Sequence, residues 1–292
     1  MLILRALVPN PLASYYLVGG FGGLSKALAV WLVECRAKHL VFLSRSGMAE
    51  SKFSAELGAM GCSVITVKGS VKNLEDVEDA IKKAPCPIRG VFHFFMVQMD
   101  SPLLDMTWKY WKDASEPKVN GTLEPSPSAS WPATGSLLSG QGNYKAGCTF
   151  IESFCQNRHS LGLPAFVLSI RSIEDIGYLA ENPSSLLSSK RQGLHHVREK
   201  EFLESVEASP FISTPGGRSS TSDSFENLSS GELSPWKNNG HIIMGLRSHL
   251  HFDDPKNPTN WRRDRRLGAY HNLSTGDQAD TRGDSSQLKF FL

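Results

Sequence analysis

The stretch YYLVGGFGGLSKALAV, residues 15–30, joins a short apolar run, a cluster of glycines and an apolar pattern with helical spacing. The run predicts a buried strand, and the pattern predicts a helix over 25–38. Glycines between a strand and a helix let the backbone approach phosphate groups, because any Cβ would hold them away. We therefore expect a dinucleotide's pyrophosphate to bind here. The predicted contacts are Gly19, Gly20, Gly22, Gly23 and Leu24.

Two nearby features refine this prediction. Ser25 stands where such loops usually carry their final glycine. A serine could cap the helix, and we expect weaker packing of the helix on the strand rather than loss of the site. The second predicted strand ends in Ser44, Arg45 and Ser46. An arginine beside hydroxyls suits the 2′-phosphate of NADP, so these residues predict NADPH. A plain strand–helix turn and an ordinary solvated arginine are the alternatives.

The rest of the first half alternates apolar runs with amphipathic stretches, which is typical of βαβ units. Strands are predicted at 39–44, 62–69, 88–97 and 165–170, and helices at 51–61, 73–84 and 143–158. The fold class is therefore α/β, a Rossmann-type doubly wound parallel sheet. The segment 120–140 damages this pattern, because it is rich in Pro, Ser and Gly where the sheet requires a helix and another buried strand.

The composition excludes several classes of function. The chain has 292 residues, 40% of them hydrophobic, and a formal net charge of +2, so nothing global attracts nucleic acid. Its five cysteines form no CxxC pair, and His93, His195 and His196 lack metal-ligand spacing. The apolar stretch 27–33 is far too short for a bilayer. We expect a cytoplasmic protein with free thiols, no metal and no membrane partner.

Several stretches together resemble the ketoreductase domain of polyketide synthases, in the short-chain dehydrogenase/reductase superfamily. They are YYLVGGFGGLSKALAVWLVECRAKHLVFLSRSG, APCPIRGVFHFFMVQMDSPLLDMTWKYWKDASEPKVNGT, GQGNYKAGCTFIESFCQNRHSLGLPAFVLSI and IEDIGYLAENP. The late block IIMGLRS with DDPKNPTNWRRDRRLGAYHN is similar to the segment after this domain in fungal highly reducing synthases. The resemblance spans residues 14–273.

The resemblance implies hydride transfer from NADPH to the β-ketone of an acyl thioester carried on a phosphopantetheine arm. The family's lysine motif is matched by PKVNGT and its tyrosine motif by QGNY, which assigns Lys118 and Tyr144. A tyrosine titrates at about 10, and a nearby ammonium lowers that value. For the serine that binds the carbonyl, Ser136 and Ser139 are the candidates, and Ser139 is the assignment.

The chain departs from the family pattern at several positions. Cys148 replaces an asparagine, and a thiol cannot supply the donor and acceptor of an amide. Ser70 replaces an aspartate that contacts adenine, and Phe94 and Phe95 bring bulk to the nicotinamide side. A second hypothesis is therefore an impaired remnant that keeps nucleotide binding or a structural role. A third, a nucleic-acid module at 260–272, is disfavoured because these residues belong to the resemblance and nearby aspartates neutralise them.

The composition and the resemblance together predict five parts. The expected partners are an acyl-carrier-bound β-ketoacyl substrate and other synthase domains, with no nucleic acid and no membrane. The predicted parts are a lead-in at 1–13, an NADPH-binding ketoreductase-like domain at 14–208, a disordered linker at 209–240, a post-ketoreductase segment at 241–273 and a polar tail at 274–292.

Overall fold

The secondary structure alternates strands with helices along the first half of the chain. The computed structural model describes residues 9–45, 51–94, 97, 99–123, 142–170, 172–191, 195–209 and 240–246. The strands are β1 Ser14–Val18, β2 His39–Ser44, β3 Ser63–Lys68, β4 Ile88–His93, β5 Val167–Ile170 and β6 His241–Met244. The helices are α1 Gly23–Glu34, α2 Ser51–Ala59, α3 Leu74–Lys82, α4 Trp108–Leu123, α5 Gly142–Ser160, α6 Tyr178–Glu181, α7 Pro183–Arg191 and α8 Glu199–Ala208, with a 3₁₀ turn at Leu103–Asp105.

Four strands form a parallel sheet in the order β3-β2-β1-β4. Val18 at the end of β1 pairs with Leu43 of β2 and with His93 of β4, so these strands end along one edge. The chain crosses from one half of the sheet to the other between β1 and β4, and a crevice for a ligand opens at such a switch point. The predicted α/β fold with a Rossmann-type strand order is confirmed.

A second parallel pair joins β5 to β6, with Val167 opposite His241. Within the residues that the structure describes, neither β4 nor β5 has a strand on its other side. The sequence places the break in the pattern at 120–140, but α4 continues to Leu123 despite the internal Pro117. The remainder of that segment lies outside the described residues. Strand β6 begins at residue 241, where the sequence predicts the start of the post-ketoreductase segment, and it pairs with β5 of the predicted ketoreductase-like domain. The domain division itself stays a prediction.

Both faces of the larger sheet are covered by helices. Leu17 of β1 packs on the side of α1 and α8, with Leu28 and Phe202. Tyr16 packs on the opposite side, with Val77 of α3 and Ile151 of α5. Burial on both faces explains why β1 and β2 read as continuous apolar runs rather than alternating ones. In α1, Leu28 and Leu32 are buried, whereas Trp31 and the following Cys35 are only partly buried.

Ser25 does not cap α1. The N-cap residue is Gly22, and Ser25 lies three residues further on with its side chain 1% exposed. Its hydroxyl has no hydrogen-bond partner in the described part of the chain. Ser25 is therefore a buried polar group without a partner among the described residues, and the expected weaker packing of the helix on the strand stays a prediction.

Replacing Ser25 with alanine should raise the free energy of unfolding by about 1 kcal/mol, because it removes the cost of desolvating that hydroxyl. Chemical denaturation measures this change. Ser205→Ala is the matched control, since Ser205 is equally buried in a helix but donates a hydrogen bond to the carbonyl of Glu201 at 2.9 Å. Equal shifts in the two variants would mean that helix propensity alone explains the effect.

Candidate active site

The glycine loop between β1 and α1 has a conformation that side chains would block. Gly19 has φ of +120°, and a Cβ added there would lie 2.9 Å from the carbonyl carbon of Phe94. Gly20 has φ of +76°, and its Cβ would lie 3.2 Å from Oγ of Ser44. Both positions favour glycine on conformational grounds as well as for space. Gly22 caps α1 without any side-chain hydrogen bond, and the first backbone N–H groups of a helix lack carbonyl partners within it, which makes them donors for an anion.

A segment after β5 lies directly against this loop. A Cβ added at Gly23 would lie 2.5 Å from the backbone nitrogen of Gly177, which itself has φ of +72°. A Cβ at Gly177 would in turn lie 3.0 Å from Cδ1 of Leu24. Sequence reasoning assigned Gly23 and Leu24 to the loop but missed Gly177. The only signal for Gly177 was its place in the stretch IEDIGYLAENP.

The predicted selectivity residues lie at the same edge of the sheet. Ser44 ends β2 beside Gly20, and Arg45 follows it as an exposed residue in a turn. Arg45 therefore lies beyond the carboxyl ends of the strands, on the side of the glycine loop. Ser46 lies outside the described residues.

The structure brings Lys118 and Tyr144 together. Lys118 is on α4 and Tyr144 is on α5, and both are 2% exposed. The ammonium nitrogen of Lys118 lies 4.5 Å from the centre of the Tyr144 ring, and the two side chains are hydrogen-bonded. Close approach of the helices depends on Gly147, where an added Cβ would lie 2.8 Å from Cδ of Lys118. A buried ammonium next to a phenol is the arrangement that general acid catalysis by tyrosine requires.

Cys148 completes a three-membered cluster with this pair. Its thiol is hydrogen-bonded to both Lys118 and Tyr144. Burial alone would lower the pKa of the Lys118 ammonium, but attraction by Tyr144 and Cys148 outweighs burial and raises it. Burial raises the pKa of the Cys148 thiol despite the opposing attraction of Lys118. The cluster therefore holds a charged lysine beside a neutral thiol at neutral pH.

The carboxyl end of β4 borders the cluster through His93, which is 1% exposed. Burial and, after it, the positive charge of Lys118 lower the pKa of His93 to about 3, so its imidazole is neutral. Gly121 of α4 lies over this ring, since a Cβ there would be 2.8 Å from Nε2. The sequence predicts that the next residue, Phe94, lies on the nicotinamide side of the site. Its ring packs edge-on against Phe202 at 6.4 Å, and Phe95 lies outside the described residues.

The catalytic serine remains a prediction. Ser139 and the alternative Ser136 both lie outside the described residues. Among the residues that are described, no group of three or more His, Cys, Asp or Glu side chains is arranged to hold a metal ion. In the same part of the chain, no helix is both long and apolar enough to cross a bilayer.

Replacing Cys148 with asparagine should raise the turnover rate about fivefold, because an amide restores one neutral hydrogen bond that a thiol makes poorly. The measurement is steady-state turnover with the cofactor saturating. Cys155→Asn, at a fully buried cysteine further along α5, is the control for a general effect of polar substitution. A rate for Cys148→Asn at or below that of the unmodified chain would contradict the expectation.

A parallel sheet with a glycine loop at its switch point and a buried Lys–Tyr pair at the same edge defines a nucleotide-binding oxidoreductase of the short-chain dehydrogenase/reductase type. The model of the KR domain family matches residues 13–124 and 129–175, which is more than half of the chain. The chain belongs to the KR domain family, the ketoreductases of polyketide synthases. The match is interrupted at 125–128, inside the irregular segment.

The most similar relatives include two highly reducing polyketide synthases from fungi. One is gloL of Glarea lozoyensis, 37% identical over 306 residues that cover 99% of this chain and 11% of the synthase. Another is pspA of Penicillium soppii, 36% identical over 299 residues that cover 96% of this chain and 12% of the synthase. This chain thus spans about a tenth of the length of these relatives.

Solved structures of ketoreductases from polyketide synthases share the fold. An A-type ketoreductase from a modular polyketide synthase superimposes with a TM-score of 0.64 at 23% identity, covering 71% of this chain and 47% of that one. The first ketoreductase of the tylosin synthase gives 0.61 at 21% identity, covering 70% and 48%. At these identities the structural similarity establishes the fold alone. Membership of the KR domain family rests on the match to the family model.

Proposed function

We propose that the chain reduces a β-ketoacyl thioester to the β-hydroxyacyl thioester with NADPH, as a ketoreductase of polyketide biosynthesis. The single observation that carries the proposal is the buried pair of Lys118 and Tyr144 at the edge of the sheet where the glycine loop lies. A carbonyl held at Tyr144 would receive the proton of its hydroxyl, and the ammonium of Lys118 would stabilise the negative charge left on the phenol oxygen.

The residues present fit a dinucleotide. The cradle formed by Gly19, Gly20 and Gly23 is space that side chains would fill, and the start of α1 offers unpaired N–H groups to a pyrophosphate. When bound, NADPH supplies the hydride. The chain's own residues orient the nucleotide through the loop, contact its 2′-phosphate through Arg45, and hold the proton on Tyr144.

The substrate is expected to arrive on the phosphopantetheine arm of an acyl carrier, and other synthase domains are the expected partners. This expectation rests on the family and on relatives whose names describe them as highly reducing polyketide synthases. An impaired remnant that keeps nucleotide binding is the second candidate. One observation favours it, the thiol of Cys148 where the resemblance places an amide.

One experiment separates the two candidates. The purified chain is mixed with NADPH and a β-ketoacyl thioester of N-acetylcysteamine, and NADPH absorbance and fluorescence are followed together. The proposal predicts consumption of NADPH that depends on the thioester. Binding of NADPH without consumption would support the remnant, and absence of binding would contradict both candidates.

Replacing Arg45 with alanine should weaken NADPH binding about tenfold and leave NADH binding unchanged, because a charge-assisted hydrogen bond to the 2′-phosphate is worth roughly 1.5 kcal/mol or more. Fluorescence titration with both cofactors measures the difference. Arg89→Ala is the matched control, since Arg89 is also exposed but lies at the opposite end of the sheet, near the start of β4. Equal affinity of the unmodified chain for both cofactors would show that Arg45 does not select NADPH.

A further inference from the structure

A completely buried amide precedes Tyr144 in the chain. Asn143 is 0% exposed and lies in the first turn of α5. Its side-chain nitrogen donates to the carbonyl of Met99 at 2.9 Å and to the carbonyl of Tyr110 at 3.1 Å. Its side-chain oxygen accepts the backbone N–H of Tyr144 at 2.8 Å. Both donor hydrogens and the acceptor of the amide are therefore used.

These three bonds connect the segments that form the Lys–Tyr pair. Met99 lies in the loop that leaves β4 at the edge of the sheet, and Tyr110 lies on α4 two turns before Lys118. The third bond holds the backbone of Tyr144 itself. One side chain thus ties α4 to α5 and both helices to the end of β4.

We propose that Asn143 is a positioning residue that sets the distance between the ammonium of Lys118 and the ring and hydroxyl of Tyr144. It acts through α4 and the first turn of α5, which its three hydrogen bonds connect. The inference deepens the proposed function and rests on it only for the chemical role of the pair. Loss of the amide is expected to lengthen the distance from Lys118 to Tyr144, and this change can be measured without turnover.

A purely structural role would be a helix cap that stabilises α5 without controlling the pair. The oxygen of Asn143 does satisfy one free N–H at the start of the helix, as a cap would. A cap, however, needs no donors. The N–H groups directed at Met99 and Tyr110 make two of the three hydrogen bonds of this side chain and have no part in capping.

The test uses Asn143→Leu, which keeps the branched shape of the side chain but removes all three bonds, and Asn143→Ala, which removes them without added bulk. Tyr144 is titrated by its tyrosinate absorbance, isolated as the difference between each protein and its Tyr144→Phe counterpart. Cys148 and Lys118 face Tyr144 and also titrate. The spectra are therefore recorded in the tyrosinate band, where neither a thiolate nor an amine absorbs. Asn73→Ala is the control, because the Asn73 side chain caps α3 by accepting the backbone N–H of Glu75 at 3.1 Å.

We expect the tyrosinate midpoint to rise in both variants, by about half a pH unit for each ångström that the Lys118–Tyr144 distance lengthens. We also expect kcat to fall about tenfold to a hundredfold with the KM for NADPH unchanged. The control should lose thermal stability without either shift. Unchanged midpoint and kcat in a folded variant would overturn the proposal, as would failure of both variants to fold. A shifted midpoint in a chain that has no reductase activity would support Asn143 and contradict the proposed function.

Discussion

Replacing Tyr144 with phenylalanine is expected to lower kcat by about a hundredfold to ten-thousandfold, the usual contribution of a positioned general acid. The substitution removes a hydroxyl and keeps the ring, so the contact of Lys118 with the ring at 4.5 Å survives. NADPH affinity should be unchanged, because the glycine loop lies on other elements. Stopped-flow turnover and fluorescence titration measure the two quantities separately.

Tyr110→Phe is the matched control for this experiment. Tyr110 is 41% exposed on α4 and contributes only its backbone carbonyl to Asn143, so loss of its hydroxyl should leave turnover unchanged. A Tyr144→Phe variant that kept the rate of the unmodified chain would remove Tyr144 from the chemistry, whatever its position in the structure.

Replacing Lys118 with methionine is expected to separate activity from stability. Turnover should fall about a hundredfold or more, because the charge that supports Tyr144 is lost. Stability should change little, since relief of the desolvated ammonium offsets the loss of its hydrogen bonds to Tyr144 and Cys148. Thermal unfolding and steady-state turnover of the same preparations measure both effects.

Lys112→Met provides the comparison on the same helix. Lys112 is exposed and pairs with Glu116 at 3.2 Å, so its loss should cost little in either property. Were Lys118→Met to retain full turnover, the buried ammonium would have no chemical role. Were it to unfold instead, the cluster with Tyr144 and Cys148 would be a structural element.

Elements with a local signal were predictable from the sequence. The strand at 39–44 agrees residue for residue with β2, and the glycine cluster marks the turn before α1, because strand periodicity and glycine content are local properties. Helix α4 was not predicted. Its internal Pro117 and its polar surface conceal the helical pattern, and packing against α5 rather than propensity stabilises it.

Contacts between distant segments could not be read from spacing alone. Lys118 and Tyr144 were assigned by resemblance, and their proximity depends on the absence of a side chain at Gly147. The contact of Gly23 with Gly177 joins segments that only the folded sheet brings together. Asn143 was overlooked because its three hydrogen bonds are made to backbone groups, which leave no pattern in the sequence.

The most direct test of ketoreductase activity follows the hydride itself. NADPH carrying deuterium at both C4 positions is incubated with the chain and a β-ketoacyl thioester, and the product is analysed by mass spectrometry, with Tyr144→Phe as the parallel sample. The proposal predicts a β-hydroxyacyl thioester with one deuterium at its β-carbon, formed much more slowly by the variant. NADPH bound by a folded chain with no deuterated product, or equal product from both proteins, would contradict it.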